Sequence, residues 1–240
     1  MTVHVWKDLR RMTREQIQGY RCYHGHFGVS FLSLLGRDIA TVTFLRDPVE
    51  RSLSQIKYGE RLVRQHWLSY LPWSIRMALA GTRLPGEWIK PPLRNVMSDL
   101  QTRSLGIEID LNPRLGTKDG RDMAFHLYDA QQDQAMESVL EHAKRRLDGM
   151  TVVGIAERFD ESLKLVSELL CIPMPEQLPQ ENVSPGHTIN VRHCDSGEFS
   201  NEYISKIKGM NEYDEELYAY ANQLLDRQLA ARRTAVNSPA

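Results

Sequence analysis

The chain has 240 residues, of which 41% are hydrophobic and 25% charged, so it is long enough for one domain with a sizeable core. Its 30 Lys and Arg against 31 Asp and Glu give a net charge of −1, which excludes a global attraction to nucleic acid or to membrane surfaces. Three widely spaced cysteines give neither a disulfide framework nor a zinc motif and favour a reducing compartment. Because the sequence has no run of about 18 apolar residues and no signal-peptide core, we expect no membrane insertion and favour the cytoplasm, for example of a bacterium.

The charge is distributed unevenly along the chain. Residues 1–64 carry 11 Lys and Arg against 6 Asp and Glu, whereas residues 151–240 carry 8 against 14. A basic first quarter suits an anionic ligand bound there, although a solvated helical face gives the same count.

Three short elements are predicted before the first clear strand. Residues 7–20 have the spacing of a polar helix, residues 21–27 (RCYHGHF) predict a short strand, and residues 29–35 predict a short apolar helix. Alternate residues of an extended segment point to the same side, so His24 and His26 are expected to face one site. Neutral histidine suits a general base. The alternatives are two structural histidines or a metal site, for which no nearby Asp or Glu completes a triad.

A strand–helix junction follows, and it is the most informative part of the sequence. The apolar run at residues 39–45 predicts a buried parallel strand. Asp47 is a good N-cap, and Pro48 suits the first position of a helix that we expect to reach about residue 66.

The residues around this junction can bind a phosphate. Arg46 is predicted at the carboxyl end of the strand, where open α/β sheets bind ligands. Ser54 falls about two turns into the helix. A guanidinium can fork onto two phosphate oxygens while the hydroxyl takes a third. An ordinary capped strand–helix junction explains the same residues without a ligand.

The rest of the chain alternates between helical spacing and apolar runs. Residues 67–94 hold three tryptophans and four prolines, which favours an irregular insertion with acceptor contacts. Strand–helix units in alternation predict a single α/β domain with a parallel sheet flanked by helices. A loop is expected at residues 106–126 and a frayed tail from Ala235. We expect helices at residues 95–105, 129–147, 161–170 (capped by Asp160) and 201–233 (with a break at Gly209–Asn211), and a second buried strand at residues 151–155.

The stretch RDPVERSLS, residues 46–54, resembles the 3′-phosphate-binding motif of sulfotransferases that use 3′-phosphoadenosine 5′-phosphosulfate. The likeness is closest to the carbohydrate branch, which includes heparan sulfate and uronyl 2-O-sulfotransferases. It implies a P-loop-nucleotide-kinase-like sulfotransferase fold in which Arg46 and Ser54 hold the 3′-phosphate and Arg51 helps. It also implies transfer of a sulfuryl group to a hydroxyl of a glycan or similar acceptor, without a metal ion.

The two histidines extend this resemblance. The His-Gly-His in YHGHF is similar to a motif of the uronyl 2-O-sulfotransferases, where the second histidine is the proposed base. This implies His26 as the catalytic base, with His24 as its support or as an acceptor contact.

Two further stretches add weaker matches. NVMSDLQTRSLG, residues 95–106, resembles a helix near the nucleotide and acceptor, which implies Gln101 and Arg103 as substrate contacts. ENVSPGH, residues 181–187, resembles a loop that closes over the nucleotide, which implies Ser184 as a cofactor contact, although a plain turn explains it equally well.

The loop with which members of this family begin is not found before His24. That loop has the pattern Pro-Lys-x-x-[ST]-[ST] and holds the 5′-phosphosulfate, whereas this chain offers only Lys7 there. We therefore expect one of two explanations. Either the protein is longer, and its missing segment could carry a membrane anchor, or it is an inactive truncated member that only binds nucleotide, glycan or a protein partner.

Overall fold

The structure is a computed structural model, and the described part of the chain is α/β and mostly helical, with one small parallel sheet. It describes residues 11–25, 28–66, 97–112, 115, 123–174 and 199–237. The elements in chain order are α1 (Arg14–Gln18), a 3₁₀ helix (Val29–Leu34), β1 (Val42–Leu45), α2 (Pro48–His66), α3 (Leu100–Gly106), α4 (Met123–Gln131), α5 (Met136–Asp148), β2 (Val152–Ile155), a 3₁₀ helix (Ala156–Arg158), α6 (Phe159–Leu170), α7 (Asn201–Gly209) and α8 (Glu212–Asn237).

The two predicted strands pair in parallel, as expected. Val42 lies opposite Val152, and the register continues to Leu45 opposite Ile155. Every residue of β2 is buried, because β2 packs against both α6 and α8. The prediction that β1 is buried was wrong for one of its faces, since Val42 and Phe44 are 38% and 40% exposed.

The core around the sheet is built from the apolar faces of α5, α6 and α8. Leu147 of α5, Leu165 of α6 and Leu217 of α8 are essentially buried against β2. A second cluster joins α1 to the first 3₁₀ helix and to the segment after α3, and a third joins α2 to α7. These contacts hold the carboxyl end of β1 between α2, α3 and α8.

The predicted helix at residues 129–147 is two helices, α4 and α5, separated by a turn. The side-chain amide of Gln131 donates to the carbonyl of Gln134, and that of Gln134 donates to the carbonyl of Ala130. Side chains that bond to nearby backbone compete with helix continuation. The predicted apolar stripe of α5 is confirmed, because Val139, Ala143 and Leu147 are buried.

Several other boundaries differ from prediction. Residues 21–25 form no strand, because the Tyr23 hydroxyl donates to carbonyls of α1 and its C-terminal end and draws the segment back. Helix α3 begins only at Leu100, since Asp99 has a left-handed backbone. Asp160 lies in the first turn of α6 rather than at its cap.

The end of the chain follows the prediction more closely. The break between α7 and α8 at residues 210–211 is confirmed, and α8 continues to Asn237. The predicted insertion at residues 67–94 lies outside the described residues. Among the residues that are described, no helix is both long enough and apolar enough to cross a membrane.

Candidate anion-binding site at the carboxyl end of the first strand

The strand–helix junction forms as the sequence predicts. The Asp47 carboxylate accepts a hydrogen bond from Glu50 N at 2.9 Å, and its carbonyl accepts one from Arg51 N at 2.8 Å. Asp47 is therefore an N-cap, and Pro48 occupies the first helical position. The positive end of the α2 dipole lies beside the carboxyl end of β1.

Side chains from two other elements hold the backbone of this junction. Gln101 of α3 accepts from Arg46 N and donates to Arg46 O, each at 2.9 Å. Glu157, just after β2, accepts from Asp47 N at 3.0 Å and from the Tyr218 hydroxyl at 2.9 Å. Burial, and then this bond to Glu157, raise the pKa of Tyr218 to about 12.

The Arg46 guanidinium is charge-balanced but loosely held. It lies 3.8 Å from the Glu50 carboxylate and 3.9 Å from that of Glu157, beyond normal hydrogen-bond distance. Its Nε is buried and makes no hydrogen bond within the described part of the chain. The side chain as a whole is 27% exposed, so Arg46 is partly open to solvent although its Nε is not.

Ser54 lies on the same side of α2 as Glu50, because residues four apart share a helix face. The six helical rises from Pro48 to Ser54 span about 9 Å along the helix axis. This distance is within the combined reach of an arginine side chain and a phosphate group. Ideal helix geometry therefore allows Arg46 and Ser54 to reach one phosphate, and their joint contact stays a prediction.

Arg51, the predicted helper, points into the protein. Its Nη2 donates to Met97 O at 2.8 Å and to Asn211 Oδ1 at 3.2 Å, and its Nε lies 3.9 Å from Asp214. Burial lowers the pKa of Arg51, opposed by Asp214. Arg51 thus joins α2 to the start of α8, and its contact with a phosphate stays a prediction.

Two carboxylates, the half-buried Asp99 and the buried Asp214, cap each other's helices behind the junction. Asp99, just before α3, accepts from the amides of Tyr213 and Asp214 in α8, both at 3.0 Å. Asp214 accepts from Thr102 N at 2.7 Å and from Gln101 N at 3.2 Å in α3. Each carboxylate satisfies amides that its partner's helix leaves without an intrahelical acceptor.

The electrostatics of this pair involve two arginines. Burial, and then the charge of Asp214, raise the pKa of Asp99 to about 6. Burial lowers the pKa of Arg103 to about 10, opposed by Asp214 and then Asp99. Arg103 is 2% exposed, donates to Ser98 O, and lies 5.7 Å over the Tyr128 ring.

Of the two predicted substrate contacts, Arg103 is buried and Gln101 is half-buried. Gln101 bonds to the Arg46 backbone, and Arg103 belongs to the buried network. Sequence reasoning missed Asp99 and Asp214. A usable signal was the Asn211-x-x-Asp214 spacing at the start of a helix, which places an acid at the third helical position.

Three predicted site residues remain, and only one of them lies in the described part of the chain. His24 is exposed, while His26 and Ser184 lie outside the described residues. In the part of the chain that is described, no group of three or more His, Cys, Asp or Glu could hold a metal ion.

A cavity of about 430 Å³ opens at the opposite end of β1, near Thr41. Arg146 in its wall donates to Leu105 O at 2.8 Å and to Glu108 at 3.0 Å. We place the candidate site at the carboxyl end of the strand, because Arg46 is partly exposed there and its Nε makes no hydrogen bond in the described part of the chain.

Comparison of the chain with protein-family models, with curated proteins and with solved structures gives no match.

Proposed function

We propose that this chain is a sulfotransferase-family domain that binds 3′-phosphoadenosine 5′-phosphosulfate at the carboxyl end of β1. In this proposal the parallel pair β1–β2 belongs to a P-loop-nucleotide-kinase-like sheet. The observation that carries it is the Arg46 guanidinium, which lies at a strand end with a buried Nε that makes no hydrogen bond in the described part of the chain. The 3′-phosphate would bond to the guanidinium of this partly exposed side chain and also to Ser54.

The surroundings of Arg46 include both favourable and unfavourable charges for an anion. The α2 N-terminus and the basic first quarter of the chain favour a phosphate. The carboxylates of Glu50 and Glu157 oppose it, although both lie too far from the guanidinium for a hydrogen bond. A phosphate oxygen at normal hydrogen-bond distance would replace these loose contacts with shorter, charge-assisted bonds.

The proposed reaction is in-line transfer of a sulfuryl group. The acceptor hydroxyl oxygen bonds to sulfur while the bond from sulfur to the 5′-phosphate oxygen breaks, which releases 3′-phosphoadenosine 5′-phosphate. His26 takes the hydroxyl proton, and His24 supports it or contacts the glycan or other acceptor. Fixed cations can stabilise the developing charge, so the proposal uses no metal ion.

The first test is a calorimetric titration with 3′-phosphoadenosine 5′-phosphate. Loss of a charge-assisted hydrogen bond should weaken binding to Arg46→Ala by roughly 1.5–3 kcal/mol. Ser54→Ala should weaken it by about 1 kcal/mol, the value of a neutral hydrogen bond. Arg145→Ala is the matched control, because Arg145 is an exposed arginine near the far end of β1. Equal affinity of Arg46→Ala and wild type would refute the proposed site.

The second test separates an active enzyme from an inactive family member. With a sulfuryl donor and a glycan acceptor, His26→Ala should lower turnover by about 10²–10⁴-fold, typical of a lost general base, with nucleotide affinity unchanged. Nucleotide binding without any turnover in the wild-type chain would favour the inactive member. Near-normal turnover of His26→Ala would eliminate His26 as the base.

A further inference from the structure

Gln101 holds the backbone of Arg46 from both sides. Its Oε1 accepts from Arg46 N and its Nε2 donates to Arg46 O, each at 2.9 Å. We propose that Gln101 is a positioning residue that fixes the direction of the Arg46 side chain toward its anion. The anion in this inference rests on the function proposed above.

The geometry gives this contact its effect. The N–H of Arg46 belongs to the peptide before its Cα, and the carbonyl belongs to the peptide after it. A side chain bonded to both groups holds φ and ψ of Arg46 together, and these two angles set the direction of the Cα–Cβ bond. Gln101 thus acts on Arg46 as a neighbouring strand would act on a paired residue.

Gln101 is itself well anchored. Its backbone N–H donates to the buried carboxylate of Asp214 at 3.2 Å, and the next amide, that of Thr102, donates to the same carboxylate at 2.7 Å. The position of Arg46 is therefore tied through α3 to α8. A guanidinium supported in this way meets an anion without first ordering its backbone, which lowers the entropic cost of binding.

The chain offers a matched control on the other strand. Gln228 of α8 accepts from Val153 N at 3.1 Å and donates to Met150 O at 3.5 Å. It makes the same kind of side-chain contact with strand backbone, but at β2. Loss of its amide should therefore cost stability without affecting Arg46.

The experiment compares Gln101→Met, Gln101→Glu and Gln228→Met by titration with 3′-phosphoadenosine 5′-phosphate and by hydrogen exchange of backbone amides. Methionine keeps the length of glutamine and removes both hydrogen bonds. Gln101→Met should bind about tenfold more weakly, whereas Gln228→Met should bind like wild type despite a similar loss of stability. The Arg46 amide should exchange at least about tenfold faster in Gln101→Met only.

Gln101→Glu tests the positioning role through the pH dependence of nucleotide affinity. A purely structural role of Gln101 would not make the effect of this substitution depend on pH. A carboxylate can accept from Arg46 N but cannot donate to Arg46 O, whereas the protonated acid can do both. At about pH 7.5 this variant should bind several-fold more weakly than wild type, and at about pH 4, where most of a glutamate is protonated, the difference should shrink. The comparison is made with wild type at each pH, so titration of the nucleotide itself cancels.

Each outcome decides one proposal. Equal affinity of Gln101→Met and wild type, or an equal loss in Gln228→Met, would overturn the positioning role. If the wild-type chain binds no nucleotide, the proposed function fails. The hydrogen-exchange rate of the Arg46 amide then still tests whether Gln101 holds the Arg46 backbone. An Arg46 amide that exchanges equally in wild type and Gln101→Met would then overturn the inference by itself.

Discussion

The same Asp→Asn substitution should have opposite effects on stability at Asp99 and at Asp214. Asp214 is fully buried, and its two oxygens accept from two different amides, those of Thr102 and Gln101. Asparagine at this position must direct its NH₂ group at one of these donors. Asp99→Asn meets no such conflict, because both of its amide donors end on Oδ1 and the amide oxygen can replace that atom.

The magnitudes follow from the environment of each carboxylate. Asp214→Asn leaves a buried N–H without an acceptor and removes a negative charge from beside Arg51 and Arg103, which should cost about 3–5 kcal/mol. Burial raises the pKa of Asp99 from 3.8 to about 6. A shift of about two units means that ionisation of Asp99 is disfavoured in the folded chain by about 3 kcal/mol.

The sign of the pH dependence follows from this raised pKa. Between about pH 4 and 6 the folded chain binds more protons than the unfolded chain. The contribution of neutral Asp99 to stability is therefore fully present below about pH 4 and is lost as the pH rises through about 6. Asparagine resembles the protonated acid at every pH. Asp99→Asn should match wild type near pH 4 and exceed it by about 2–3 kcal/mol at about pH 7.5.

Urea unfolding followed by circular dichroism measures both effects. With a slope of about 3 kcal/mol per molar, the Asp99→Asn midpoint should rise by up to about 1 M at about pH 7.5 and that of Asp214→Asn should fall by at least as much. Equal destabilisation by both substitutions at that pH would show that the charge of Asp99 is required, and the reasoning would be wrong. A wild-type midpoint for Asp214→Asn would remove the reciprocal caps as a source of stability.

Two other features of the structure can be tested in the same way. Glu50→Gln removes a carboxylate beside the guanidinium and should tighten nucleotide binding by about 1 kcal/mol in the calorimetric titration, whereas weaker binding would contradict the proposed site. Gly106→Ala places its Cβ 2.1 Å from the backbone oxygen of Val139 and should destabilise by about 3 kcal/mol or more in urea. Gly154→Ala meets only the half-exposed ring of Phe44, at 2.6 Å, and should cost about 1 kcal/mol. Equal losses of unfolding free energy in Gly106→Ala and Gly154→Ala would show that the backbone contact yields as easily as the ring contact, against this prediction.

The junction of β1 and α2 could be predicted because its stabilising groups are close together in sequence. Asp47 caps the helix that begins one residue later, with its own carboxylate on the amide of Glu50. The stripe of α5 was predictable for the same reason, since its spacing is a property of one helix. The parallel pairing of β1 and β2 followed from the alternation of strands and helices.

The roles of Gln101 and Arg103 could not be predicted in this way, because their partners are distant in sequence. Gln101 bonds to residue 46, 55 positions before it, and to residue 214, 113 positions after it. A polar residue on a short helix gives the same sequence pattern whether it contacts a ligand or the backbone of a neighbouring strand. Only the hydrogen bonds of Gln101 to the end of β1 and to α8 distinguish the two.

Stability and the candidate site share a residue through this packing. Asp214 caps α3, and α3 carries the glutamine that holds the Arg46 backbone. Asp214 therefore affects the site indirectly, through α3 and Gln101, although it lies too deep to contact a ligand. The Arg46 side chain is held less tightly than its backbone. Its guanidinium lies 3.8 Å from Glu50 and 3.9 Å from Glu157, so it can exchange these partners for another acceptor. In the proposed function, the backbone held by Gln101 and the loosely paired side chain together would let Arg46 meet its anion with little rearrangement.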